Sequence, residues 1–403
     1  MRIDDGLSFL QSENRLKEFC SVDSRSNVHV EWNISGFLML GSNLITVFPK
    51  NYLIPENLPL KKRAAVSLLR TFIRYKNENG LTADEHRLLG DSHSFCGRLE
   101  SAYAILKDYA DNGYLVRKIE TLEYTHAGRI NWNRTINSIL PVVSNGRPVY
   151  VETINNRSIS DSNNVVRMIH KYVVSEAAEI WGWLFDIDPK EKTQLKISFT
   201  DAIKLLKKEL RFTFTHREIA VIKLMIAFLE NSSDEGSGET VSLFCTDHFH
   251  TIWEKICGVI FHNQYNFLCQ YVPTPEWVNA PRKYRITQIP DILVKDEKQK
   301  IFYILDAKYY NCYTNMPGWH DLVKQFFYYY TIRENFPNAK QYTFRNILLL
   351  PGNITNHVAP AGKAVLKEIT GLGEIEAVLI NCAEAVECYG SYNTVNFLEY
   401  LDF

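Results

Sequence analysis

Two apolar runs, Ile-Pro-Asp-Ile-Leu-Val at 289–294 and Ile-Phe-Tyr-Ile-Leu-Asp-Ala-Lys at 301–308, flank a charged hexapeptide and predict a β-hairpin. Side chains alternate along a strand, so Asp306 and Lys308 share one face and Ala307 takes the other. Downstream the period changes. Residues 319–336 predict a helix with Leu322, Val323, Phe326, Phe327 and Tyr330 inward. Residues 345–351 and 375–380 predict strands, with a helix at 362–370 between them. Upstream, Phe249, Ile252, Trp253, Ile256 and Ile260 form the apolar stripe of a helix at 247–263, with Glu254 at its margin. The predicted class is α/β (α+β overall), with a C-terminal mixed sheet flanked by helices.

The first half reads differently. Residues 28–50 predict strands, with a hairpin turning at Gly41-Ser42-Asn43 and ending at Pro49. Helices follow at 60–75 and 83–112, then an extended stretch at 114–125 and a polar, aromatic run at 128–136 with no clean period. Asn145-Gly146 marks a tight hairpin within 141–150. Helices are expected at 163–183, 200–210 and 217–230, the last opened by the capping box Thr215-His216-Arg217-Glu218. A polar linker at 231–240 suggests three blocks: β-rich 1–160, helical 161–236, and a mixed-sheet domain at 237–403.

At 403 residues the chain is long enough for two or three domains, and 46% hydrophobic with 23% charged residues is the composition of a globular protein. The net charge of −1 gives no global sign of nucleic-acid binding, although basic groups can still line one groove. Eight cysteines without a C-x-x-C pair fit free thiols in a reducing compartment. No apolar run approaches membrane-spanning length and the acidic start lacks a secretory core, so a cytoplasmic protein is expected. There is no phosphate loop of the G-x-x-x-x-G-K-[ST] type and no G-x-S-x-G elbow. His248 and His250 lack further ligands for a metal pair.

The chemistry concentrates in the hairpin. Asp291, fifteen positions before Asp306, can reach it across the ladder because paired strands lie about 5 Å apart. Two carboxylates and a lysine at a strand end suit a divalent cation with a water nucleophile; a surface hairpin with a stray ion pair is the plainer alternative. Glu254 either shares that site or stays in water. Lys324 and Gln325 could position a phosphate or water, or be solvated. Arg129, Trp132 and Arg134 could grip nucleic acid, with Trp132 otherwise a core anchor.

Pro290-Asp291 with Asp306-Ala307-Lys308 resembles the PD-(D/E)XK nuclease superfamily. The ordered set continues with the helix around Glu254 before the hairpin and Asp321 to Tyr329 after it. It resembles LlaJI-type restriction endonucleases and, more distantly, McrC-type nuclease subunits; the likeness extends upstream through Val47-Phe48-Pro49-Lys50 and residues 128–136. The resemblance implies a restriction-endonuclease-like fold and Mg²⁺-dependent hydrolysis of double-stranded DNA, with Mn²⁺ able to substitute. It implies metal ligation by Asp291, Asp306 and the Ala307 carbonyl with support from Glu254, and catalytic roles for Lys308 and Gln325. A cognate DNA methyltransferase, a homodimer and a separate NTPase subunit are the partners it suggests; an inactive DNA-binding or assembly protein is the alternative of another class.

Overall fold

The computed structural model describes residues 20–23, 29–40, 43–79, 89, 95–116, 118–124, 128–160, 164–189, 192–232, 241–276, 288–393 and 395–401. The expected turn at 41–42, the leading part of the helix expected at 83–112 and most of the linker, 233–240, lie outside them. They divide into two compact units, one drawn from 1–91 and 239–403 and the other from 92–238.

The first unit begins with β1 (Cys20–Asp23) paired to β2 (His29–Trp32). The hairpin of β3 (Ser35–Leu40) and β4 (Asn43–Val47) follows, then α1 (Leu58–Asn79). Ala65, Leu68, Leu69 and Phe72 are buried on α1 as its period predicts. Arg74 is packed rather than solvated: its guanidinium lies 4.3 Å from the Tyr389 ring and 4.1 Å from the Tyr392 ring and donates to the Tyr389 carbonyl.

The second unit starts with α2 (Phe95–Asn112) and β5 (Lys118–Tyr124). Next come β6 (Arg129–Ile130), α3 (Trp132–Ser138), β7 (Val142–Ser144), β8 (Arg147–Val149) and β9 (Ile154–Ser160). The β7–β8 turn has Asn145 at φ 50° and Gly146 at φ 74°, the paired positive angles that an Asn-Gly turn supplies. Three helices at the expected places close the unit: α4 (Val165–Phe185), α5 (Phe199–Leu210) and α6 (His216–Ser232). Arg217 of α6 grips both carboxylate oxygens of Asp108 on α2, at 3.0 and 2.9 Å.

The chain then returns to the first unit through β10 (Val241–Thr246), which pairs antiparallel with β3. Three consecutive blocks are therefore not what the described residues form, because the ladder joining Leu40 to Val241 ties the N-terminal strands to the C-terminal segment. Gly36 makes that ladder possible. Its φ is 142°, and a side chain there would run into the Phe244 carbonyl and Cys245 of β10.

After β10 come α7 (Phe249–Ile260) and α8 (Tyr265–Leu268), then the expected hairpin, β11 (Ile292–Asp296) and β12 (Ile301–Ala307). Then follow α9 (Trp319–Asn335), β13 (Thr343–Gly352), β14 (Val358–Val365), β15 (Glu374–Asn381) and α10 (Cys382–Gly390). They form a mixed five-stranded sheet in the order β11-β12-β13-β15-β14, with β12, β13 and β15 parallel and both edge strands antiparallel. The α/β class with a C-terminal mixed sheet stands as expected. The helix expected at 362–370 does not form: those residues begin in β14, where Pro360 removes an N–H at a sheet edge and the register shifts between Pro360 and Gly362. No described helix is long and apolar enough to cross a membrane, and the described cysteine side chains are free thiols.

Candidate active site

β12 lies between β11 and β13, and its residues from Phe302 to Ala307 are buried. Its carboxyl end is where an open α/β sheet presents functional groups. The β11–β12 register begins at Ile292 opposite Leu305. Pro290 has no N–H to extend the ladder, and the Asp291 side chain takes over: its Oδ2 accepts from the Ala307 N–H at 2.9 Å. Asn263, just past α7, donates to the Asp291 carbonyl at 2.8 Å and accepts from the Leu293 N–H at 3.1 Å, fixing the path into β11. Lys308 Nζ stands 2.5 Å from Asp306 Oδ2 and 3.8 Å from Asp321 Oδ1, while its backbone N–H donates to the Leu349 carbonyl. Tyr310 holds Asp321 from the other side, its hydroxyl donating to Oδ2 at 3.0 Å. Asp291, Asp306 and Lys308 therefore meet at one strand end.

Their charges are not balanced. Burial, then the charges of Asp306 and Glu254, push the Asp291 carboxyl up to about 7, against the Ala307 N–H and Lys308, which pull it down. Glu254 is also raised, by partial desolvation and by Asp306, with Lys308 and Lys255 acting the other way. Burial works against the Lys308 charge, yet Asp306, Asp291 and Asp321 together raise its pKa, so it is a firm ammonium at neutral pH. Three acids around one cation form a site with surplus negative potential. The oxygens of Asp291 and Asp306 with the Ala307 carbonyl are hard donors of the kind Mg²⁺ takes, so the residues fit such an ion. Among the described residues, no three His, Cys, Asp or Glu side chains stand close enough to hold one ion, so Asp291, Asp306 and Glu254 do not form a ready set of three.

Residues 34–381 match the LlaJI restriction endonuclease family. The chain belongs to the LlaJI restriction endonuclease family. Its role is accordingly of restriction type. The chain is similar to the type II restriction enzyme BsuMI component YdjA of Bacillus subtilis (strain 168), 26% identical over 404 residues that cover 95% of this chain and 84% of the relative. A chain of the half-complex of Thermococcus gammatolerans McrB AAA+ hexamers with bound McrC matches over 94% of this chain and 86% of its own length. It does so at 12% identity and a TM-score of 0.34, too slight a likeness to carry an argument.

In this LlaJI-family chain the remaining candidate residues fall into three places. Glu254 lines a cleft of about 890 Å³ together with Ala307, Lys308 and, from the N-terminal segment, Ser35 of β3 and Phe48 and Lys50 just after β4. Gln325 lies inside the fold, fully buried, its amide donating to the Ile304 carbonyl at 3.2 Å and to Asn346 Oδ1 at 2.7 Å. It locks α9 to the strand bearing Asp306 and so positions the site from behind; Lys324 beside it is exposed. Arg129, Trp132 and Arg134 belong to the second unit, all exposed. Trp132 is no core anchor: it is 53% exposed, with the Tyr150 ring edge-on at 6.2 Å.

The inward face of α9 also differs from expectation. Gln325, Phe326 and Ile332 are buried, while Val323, Phe327 and Tyr330 are exposed together with Trp319. His250 lines the cleft and His248 is held by Asp247 at 2.6 Å. Three residues that the motif reading missed complete the surroundings: Asn263 and Asp321, described above, and Tyr309. The Tyr309 hydroxyl accepts from the Lys50 N–H at 2.6 Å. Asp321 stands in the ordered motif set and Tyr309 directly follows Lys308, so both could have been weighed; nothing in sequence couples Lys50 to a residue 259 positions away.

Proposed function

We propose that this chain is a Mg²⁺-dependent DNA endonuclease of the PD-(D/E)XK type, hydrolysing phosphodiester bonds of foreign double-stranded DNA in the cytoplasm. The observation that carries the reading is the Asp291 carboxylate bonded to the Ala307 N–H beside the Asp306–Lys308 pair, three groups that separate strands deliver to one strand end. A bound Mg²⁺ would acidify water and draw charge off a phosphoryl oxygen. Asp291 and Asp306 would hold it, with the Ala307 carbonyl, and Glu254 would act from the cleft wall. Lys308, charged at neutral pH, donates hydrogen bonds: it orients the attacking water or steadies the developing negative charge, and it is not the base. The water oxygen bonds to phosphorus and gives up its proton to solvent, the P–O3′ bond breaks, and the leaving oxygen takes up a proton from solvent.

Contacts at the scissile phosphate carry no base information, so sequence reading belongs elsewhere, with Arg129, Trp132 and Arg134 as candidates in the second unit. A homodimer would place two such sites on one duplex, and a cognate methyltransferase would protect host DNA. The test is a mapped plasmid, with and without cytosine methylation, incubated with purified protein and Mg²⁺ or EDTA. Discrete fragments that need the metal and vanish in Asp306→Asn support the reading; cutting that survives in that variant overturns it.

A second reading has one observation in its favour: the Bacillus subtilis relative is named a component of its restriction enzyme. On this reading the chain is the nuclease subunit of an assembly whose NTPase is another chain, consistent with the absence of a phosphate loop from the sequence. Protein that takes up the metal and binds DNA but does not cut alone favours it.

A further inference from the structure

The cleft beside Lys308 has a second cation that the catalytic motif does not supply. Lys50 sits on the turn after β4, and that turn is pinned to the carboxyl end of the five-stranded sheet. Its N–H donates to the Tyr309 hydroxyl at 2.6 Å, and the Asn51 side chain donates to the Pro351 carbonyl at 2.9 Å. Asn51 adopts a positive φ of 57°, and the Phe48 and Tyr52 rings stack at 4.6 Å across the turn. The Lys50 backbone is thus fixed next to the residue that follows Lys308, while its side chain is exposed and lines the cleft with Glu254 and Lys308.

The charges around it single it out. Lys308 is committed to Asp306 and Asp321, and Asp247 to His248. Lys50 Nζ lies 5.3 Å from the centre of the Tyr309 ring and makes no ion pair among the described residues. A ring face orients an ammonium without neutralising it, which leaves the charge for an anion. Asn33, Ser35, Asn311 and Thr314 add neutral polar groups to the same cleft, the mixture that a sugar-phosphate strand meets at a protein surface.

We propose that Lys50 is a DNA-binding residue of the active-site cleft, contacting a backbone phosphate next to the one that is hydrolysed. The inference rests on the nuclease reading and extends it, because the strand then lies between N-terminal and C-terminal segments of one unit. Lys50 grips without reading sequence, and it takes no part in the proton or bond chemistry.

The experiment measures DNA binding by the full chain with Ca²⁺ in place of Mg²⁺, across a salt series, for wild type, Lys50→Ala and Lys50→Arg. Single-turnover cleavage at saturating enzyme is followed in parallel with Mg²⁺. Lys50→Ala should bind roughly five- to tenfold more weakly at ~0.1 M salt, for any duplex sequence, and its log K against log salt slope should fall by about 1. Lys50→Arg should restore both, and the saturated cleavage rate should stay within about twofold of wild type. Circular dichroism identifies a variant that has simply misfolded, and Lys50→Gln then repeats the test. An unchanged salt slope in a folded variant overturns this proposal while leaving the nuclease reading intact. A wild-type chain that neither binds nor cuts DNA overturns both.

Discussion

A carboxyl group pushed up to about 7 by burial and two neighbouring acids keeps its proton in the folded protein when the unfolded chain, with an ordinary carboxylate, has lost it. Between about pH 4 and 7 the folded state therefore binds more protons at Asp291, and stability falls as pH rises through that window. Asp291→Asn removes the charge and keeps an oxygen to accept from Ala307. In EDTA its melting temperature should lie above wild type at pH 8 and converge with it near pH 4; a lower melting temperature at pH 8 would count against the acid cluster. The same proton competes with a cation, so apparent metal affinity should climb as pH rises toward 7 and level off above it. Lys308→Ala leaves the acids in place but removes the ammonium that the nuclease reading assigns to the attacking water. Its single-turnover rate should drop about 10²-fold or more with DNA affinity in Ca²⁺ little changed, read by quenched-flow and anisotropy.

Among the elements, the β11–β12 hairpin was legible because two continuous apolar, β-prone runs on either side of a charged turn agree with the fold. The face of α9 was not. Leu322, Val323, Phe326, Phe327 and Tyr330 mark an apolar arc, yet the helix turns so that Gln325 points inward, its Nε2 donating to the Ile304 carbonyl and to Asn346 while its Oε1 is buried without a partner. A hydrophobic period cannot register a buried amide whose partner lies on a strand still to come. β14 was mistaken for a helix since Ala and Lys favour one locally, and sheet pairing to β15 outweighed them. β10 went unread and carries more consequence, because it closes on β3. Gly36→Ala puts a methyl group into the Phe244 carbonyl at a φ of 142°, and the protein should lose about 2 kcal/mol or more in chemical denaturation. A variant as stable as wild type would show that the β3–β10 ladder is looser than described.

At the scale of the molecule, the motif residues Asp291, Asp306 and Lys308 meet at one strand end, but blocks cut in chain order are not units that the fold respects. Residues 1–91 and 239–403 make one unit because β3 ladders onto β10 and α1 packs on α10, where Thr71 donates to the Val386 carbonyl at 2.9 Å. A fragment of 237–403 alone exposes both of those surfaces. It should lack a cooperative melt by circular dichroism and regain one when co-expressed with 1–91; a fragment that folds alone contradicts this division. Two acids holding a cation are the centre of the proposed chemistry, and Mn²⁺ titration of the full chain at pH 8, followed by electron paramagnetic resonance, reads that directly without any partner or DNA. Wild type should take up the ion in a step that Asp306→Asn and Asp291→Asn each lose. Uptake that is absent from wild type at millimolar Mn²⁺, or unchanged in both variants, would contradict it.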